Sequence, residues 1–219
     1  MSILPLPDLT PEPEGIQLSV LDSYLGPTGA LPGVSFWPRA GARVIDTVVH
    51  YGISFCAGIM VGILLAIVAG LRHTSVRALL AHRSANGIAL FVFSLLGFIV
   101  LEAICEGFHG STPGKLLLSI VVVQEDGSPC RPRSAWIRSF AYFIDALFFG
   151  LIGYLNMQKN PQEQRHGDEW AHTIVCRRSK VAPQNLRGMG QFALVLFFAV
   201  LADAALVILG TVLNLTTSI

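Results

Sequence analysis

Charge is scarce in this sequence. Asp, Glu, Lys and Arg make up 13% of 219 residues and nearly cancel, leaving a net charge of +1. That is about half the charged share of an ordinary globular domain, and no overall field is present to recruit nucleic acid. Cysteine is sparse too. Cys56, Cys105, Cys130 and Cys176 show no paired spacing and two sit inside apolar runs, so neither a disulfide framework nor a metal site is expected. Lys and Arg are missing from residues 1–36, a stretch that holds six of the twelve prolines and four acids. A signal peptide needs a basic start and an early apolar run, so residues 1–35 are expected to be a Pro-rich surface tail. Residues 16–25, between its two Pro-rich stretches, have the pattern of a short amphipathic element.

Apolar residues are abundant. They reach 53%, the mean hydropathy is +0.60, and three runs at 44–71, 88–104 and 192–213 can each cross a hydrocarbon core of about 30 Å. The composition therefore specifies an integral membrane protein whose first partner is the lipid bilayer. Trp37-Pro38-Arg39 forms an aromatic and basic flank suited to the headgroup level. Gly58, Gly62, Ala66 and Gly70 recur every four residues, a small-residue face that favours close helix contact. Packing against the chain's own second span is the expected use, and a homodimer seam is the alternative.

Beyond the second span the chain turns polar. Residues 116–123 form a β-branched run ended by Glu125-Asp-Gly-Ser128, which predicts a strand and a turn. A second short run, 173–176, can pair with it if the connection leaves and returns on one side of the membrane. Charge supports that path. With a cytoplasmic N-terminus, a full crossing at 140–155 would put Lys159, Arg165, Arg177, Arg178, Lys180 and Arg187 outside, against the positive-inside bias. That run is only 16 residues long and contains Asp145, Gly150 and Gly153. A re-entrant or broken helix is expected there, and the C-terminus then lies outside. The predicted fold is an all-α membrane protein, a small polytopic helical bundle of three full spans plus one re-entrant or broken helix, with a short cytoplasmic β element.

Polar residues inside the apolar runs are the informative ones, because ionised groups there are costly unless paired or hydrated. Arg39, Arg43, Asp46 and His50 share one helical face. Arg43 and Asp46 can pair within the helix, while Arg39 must bond elsewhere. The face is read either as a charged constellation at the mouth of the bundle or as an interfacial anchor. Arg39–Asp46 and Arg138–Asp145 share the pattern R-x-x-A-x-x-I-D. If this is an internal repeat, each Arg can meet the other segment's Asp and satisfy four buried charges. Glu102 and Glu106 lie one turn apart at the end of the second span. Asp203 sits mid-span without an ionisable neighbour in its run, either hydrogen-bonded to another helix or acting as a proton or cation relay. Thr112-Pro113-Gly114-Lys115 lacks the glycine and Ser/Thr of a phosphate loop. It reads as a tight turn delivering Lys115 to the membrane surface. His166 and His172 lack zincin spacing and read as solvated loop residues.

Together these residues resemble the RDD family of membrane proteins. The resemblance is carried by Phe36-Trp-Pro-Arg39 with Ala42 and Ile45-Asp46, by Gly110-Ser-Thr-Pro-Gly-Lys115, and by Val122-Val123 with Asp126-Gly127. It continues through Arg138 to Asp168 with Ala171, Thr173, Ile174 and Val175. It implies that Arg39, Asp46 and Asp168 are the name-giving arginine and aspartates. Glu169-Trp170 and His172 depart from the apolar residues and glycine usual around the last motif. The organisation expected is a tail at 1–35, an RDD-like membrane domain at 36–178, and a linker with an additional C-terminal span at 179–219. The expected setting is a bacterial plasma membrane with the N-terminus in the cytoplasm.

Two function classes follow. In one, the chain is an accessory, assembly or regulatory partner of another membrane protein, or of itself as a homo-oligomer, and the acids are structural. In the other it is a cation/proton or small-solute transporter whose route uses Asp46, Glu102, Asp145 and Asp203, with Arg138 or Lys115 as counter-charge. No nucleophile–base pair is visible, so catalytic residues, cofactors and an enzymatic role are not expected.

Overall fold

The computed structural model describes residues 31–80 and 87–216. The amphipathic stretch expected at 16–25 lies outside them. In chain order the elements are α1 (Phe36–Leu71), α2 (Val76–Leu80), α3 (Ile88–His109), α4 (Pro113–Leu117) and β1 (Ile120–Gln124). They continue with α5 (Pro132–Asp145), α6 (Leu147–Met157), α7 (His166–Trp170), β2 (Thr173–Arg177) and α8 (Met189–Thr216). Among the described residues three helical segments are long and apolar enough to cross a membrane: Phe36–Leu71, Ile88–His109 and Pro183–Asn214.

Helix α1 begins at Phe36, well before the apolar run starts. Its 36 residues reach about 54 Å at 1.5 Å per residue, against a hydrocarbon core of about 30 Å. The surplus at its first turns is where Arg39, Ala42 and Asp46 are buried against other protein elements. The helix thus serves as a span along most of its length and as part of a polar layer at its base.

Helices α3 and α8 form the closest pair of the bundle. Leu101, Cys105 and Ala199 are fully buried between them, and a side chain at Gly97 would collide with the Asp203 carboxylate. Small residues allow this approach, but they are not those of α1. Gly58, Gly62 and Gly70 meet nothing within 4 Å among the described residues. The expected packing of that face against the second span is therefore corrected: α3 has its close partner in α8, and α1 leans on α8 and on the short helix α4, with few contacts to α3.

The broken helix is present. Pro132–Asp145 and Gly150–Met157 are bent by 110°, with left-handed backbone at Phe148 (φ 51°) and Gly150 (φ 89°) marking the break. Both ends tie into the same strand layer. Ser134 hydrogen-bonds Gln124 of β1, while the Asn156 amide donates to the Gln164 carbonyl and Gln164 donates to that of Thr173.

The two predicted strands pair antiparallel, with Ile120 opposite Arg177 and Val122 opposite Val175. The first strand starts later than the β-branched run suggests, because Leu116 and Leu117 belong to α4. All five β1 residues are buried. Ile120, Val122 and Val175 face Val34, Ala42, Cys130 and Ala135. Val121, Val123, Ile174 and Cys176 face Leu31 and Val181. Burial on both faces is why the strand reads as a continuous apolar run. The same burial raises the Cys130 and Cys176 thiols to about 12. Both are expected to resist maleimide at neutral pH and to react once the layer is unfolded, since the thiolate is the nucleophile. Mass spectrometry before and after denaturation checks this.

Candidate functional site

The base of the bundle holds a buried set of charges contributed by five separate elements. Arg39 of α1 donates Nε to the Val34 carbonyl at 2.7 Å, Nη1 to Asp168 at 2.5 Å and Nη2 to the Glu163 carbonyl at 2.8 Å. Arg138 of α5, 2% exposed, donates to the other Asp168 oxygen, to Thr173 Oγ1 at 2.9 Å, and through Nε to Glu106 at 2.9 Å. Glu106 also accepts from the Lys115 ammonium. Arg43 pairs with Glu102, with its guanidinium 3.6 Å over the Tyr142 ring and 4.3 Å over Phe98.

Asp168 is the hub. It is fully buried and bound to Arg39 and Arg138, its Oδ2 accepts the Arg165 backbone N–H at 3.1 Å, and the Arg165 guanidinium lies 3.8 Å away. Burial alone would raise its pKa, but Arg138, Arg165 and Arg39 outweigh that and hold the carboxyl well below the usual carboxylate range.

The two R-x-x-A-x-x-I-D segments do repeat in three dimensions, though not as expected. Asp46 accepts from Thr112 Oγ1 at 2.5 Å and from the Gly114 N–H at 2.7 Å. Asp145 is placed likewise, bonding His166 Nδ1 at 3.0 Å and accepting the Gly167 N–H at 3.3 Å. Each aspartate thus holds the first turn of a short helix, α4 or α7, where free N–H groups need acceptors. Gly114 sits against Ala42 and Gly167 against Ala141, the two alanines of the pattern. Both helices unwind through a left-handed residue, Ser119 (φ 55°) and His172 (φ 52°), into the strands. Matching backbone bonds, Leu118 N–H to Gly114 and Ala171 N–H to Gly167, complete the parallel. The ladder is centred on Val122 opposite Val175, equivalent residues of the two units.

Several sequence expectations are corrected by this arrangement. Arg39 does not meet Asp145, nor Arg138 Asp46, because each aspartate is engaged with the short helix of its own unit and both arginines converge on Asp168. Arg43 pairs with Glu102 and not with Asp46. Thr112-Pro113-Gly114-Lys115 is not a surface turn. Thr112 caps α4, Pro113 occupies its first turn, and Lys115 is buried on Glu106. His166 is not a free loop residue, since it bonds Asp145. His172 is the exposed one.

Asp203 stands apart from the cluster. Its Oδ2 lies 2.9 Å from His50 Nδ1, and His50 Nε2 lies 3.0 Å from Ser94 Oγ, so helices α1, α3 and α8 are linked by one hydrogen-bonded chain. The expected bond to a neighbouring helix exists. Ser94 was not legible as a site residue, since a hydroxyl in an apolar run gives no signal of its partner, and Thr173, though part of the family pattern, gave no sign of its bond to Arg138. The roles of Glu106 and Arg165 were equally hidden, with several acids competing for several cations.

The sequence model of the RDD family aligns with residues 34–172, from just before α1 to just after α7. No curated protein and no solved structure matches the chain.

Proposed function

Because the chain belongs to the RDD family and its cluster acids are each engaged by groups of the same protein, we propose that it is an accessory or assembly partner of another membrane complex. The observation that carries this reading is the commitment of the acids. Asp46, Asp145, Asp168, Glu102 and Glu106 all hold a helix start or a cation of the same cluster. The cavity among Arg43, Glu102, Glu106 and Arg138 is about 30 Å³, room for roughly one or two waters. A hydrated cation has no passage there. The open Gly58–Gly62–Gly70 face of α1 supports the same reading, since small residues let a partner helix approach closely. The proposed orientation has the N-terminus and the basic strand layer on the cytoplasmic side of a bacterial plasma membrane.

Cysteines placed at Gly58 and Gly62 test it in native membranes. Cross-linked adducts containing a second membrane protein or a second copy are expected, and they should be lost with a leucine at Ala66. Adduct-free membranes would overturn the reading.

A second reading, transport, rests on the His50–Asp203–Ser94 chain. Among the described residues Asp203 Oδ1 and Glu102 Oε1 are both buried with no hydrogen-bond partner, and each is a proton-accepting atom inside the bundle. The Phe98 ring lies 5.1 Å from the His50 ring, between it and Arg43, as an apolar plug. Proton-coupled cation flux in sealed liposomes separates the two readings. Flux that Asp203→Asn abolishes in a folded variant would favour transport, and flux equal to empty liposomes would favour the accessory role.

A further inference from the structure

A second cavity, about 380 Å³, opens between the base of α1 and the α5–α6 hairpin. We propose that it binds the phosphate headgroup of an anionic phospholipid, with the guanidinium groups of Arg43 and Arg165 on the phosphodiester.

Its polar end is lined by three guanidinium groups, Arg39, Arg43 and Arg165, and by one carboxylate, Asp145. Arg39, Arg138 and Arg165 converge on Asp168, and Arg138 is held by Glu106 as well. Arg165 is the least well satisfied of them. The closest approach of its guanidinium to that carboxylate is 3.8 Å, beyond hydrogen-bond distance, and its Nε is buried with no partner among the described residues. Arg43 gives one nitrogen to Glu102 and remains 20% exposed at the cavity. The one acid on the cavity wall, Asp145, is already taken by His166 and the Gly167 N–H. Guanidinium is suited to phosphate because its planar fork presents paired donors.

The remaining walls are apolar: Phe36, Ala40, Ala146 and Met157 surround the opening. A free phosphate ion has no use for such walls, whereas the glycerol and first methylenes of a lipid do. Depth agrees. Phe36 packs edge-on to both Trp37 and Tyr154 beside the cavity, and Trp37 is 77% exposed, as expected of an aromatic at the headgroup level. The volume lies within the usual range for ligand pockets. The site joins α1 to the hairpin through a lipid, and it is independent of whether the chain is an accessory protein or a transporter.

The test uses the full chain, delipidated in detergent and reconstituted in nanodiscs of phosphatidylcholine with or without phosphatidylglycerol. Native mass spectrometry reads the lipid retained after release. One retained phosphatidylglycerol is expected, with retention reduced roughly tenfold by Arg165→Gln, the effect of losing one charge-assisted hydrogen bond. Ala40→Leu, which fills the apolar wall without touching a charge, is expected to reduce it as well. Arg133→Gln, on the outer surface, should leave it unchanged. Equal retention of both lipids, or retention unaltered by Arg165→Gln and Ala40→Leu, would overturn the proposal. Displacement of the lipid by inorganic phosphate at millimolar concentration would also overturn it, assigning the site to the free ion.

Discussion

Replacing Asp168 with asparagine is expected to destabilise the protein more than any other single polar substitution. The change leaves Arg39 and Arg138 buried and without the carboxylate they share. Removing one member of a buried charge set costs about 3–5 kcal/mol, a large part of the 5–15 kcal/mol typical of a folded domain. Thiol exposure of Cys130 and Cys176 during heating measures the effect, because both lie in the core of the strand layer that Asp168 anchors. An early rise in dye labelling is expected for Asp168→Asn, and a melting curve like that of the parent would refute the hub role. Acid should act in the same direction. The folded Asp168 pKa is depressed, so its contribution is complete above the unfolded value of about 3.9 and is lost as pH falls below that toward the folded pKa. The parent should therefore hold its strand layer from neutral pH down to about 5 and loosen below about 4.

A methyl group at Gly114 is expected to act nearly as strongly through sterics alone. A Cβ there would overlap the Ala42 carbonyl, a backbone atom that cannot swing away. Helix α4 would have to back off from α1, lengthening the 2.7 Å bond from the Gly114 N–H to Asp46. Overpacking of this kind costs typically 1–3 kcal/mol, and the weakened cap adds to it. Gly167→Ala tests the repeat. Its Cβ would lie 2.9 Å from that of Ala141, a milder overlap than the 2.1 Å approach at Gly114. The expected order is Gly114→Ala worse than Gly167→Ala, read by the same thiol-exposure melt. Equal, negligible effects would contradict the proposal that the two units dock alike.

Much of the architecture was legible in the sequence because hydrophobicity and charge bias act locally. The three spans follow from run length, and the broken helix follows from a short run interrupted by Asp145, Gly150 and Gly153 together with the basic loops around it. The two strands and their pairing follow from β-branched runs that must stay on one side. The apolar run begins eight residues after α1 does, since the first turns of the helix are polar and buried by protein rather than by lipid, but Trp37-Pro38-Arg39 and the shared face of Arg39, Arg43, Asp46 and His50 already placed those turns on the helix. Arg39, Asp46 and Asp168 were singled out through the family resemblance and all three are buried, but their partners were not foreseen. Helical spacing makes an Arg43–Asp46 pair plausible. Asp46 instead caps α4, because that helix start supplies two donors in fixed geometry. The shared R-x-x-A-x-x-I-D pattern did signal a repeat. What repeats is a long helix whose aspartate holds the first turn of a short helix leading into a strand, a relation invisible until Gly114 and Gly167 are seen in place.

The central claim is that the buried acids of the cluster hold the spans to the strand layer and do not carry ions. Thermal stability and cation flux measured on the same liposome preparations of the parent and Asp46→Asn test it most directly. The expected result is a lowered melting temperature for Asp46→Asn, with flux equal to empty liposomes for both proteins. A stable Asp46→Asn variant that abolishes a flux present in the parent would contradict the claim.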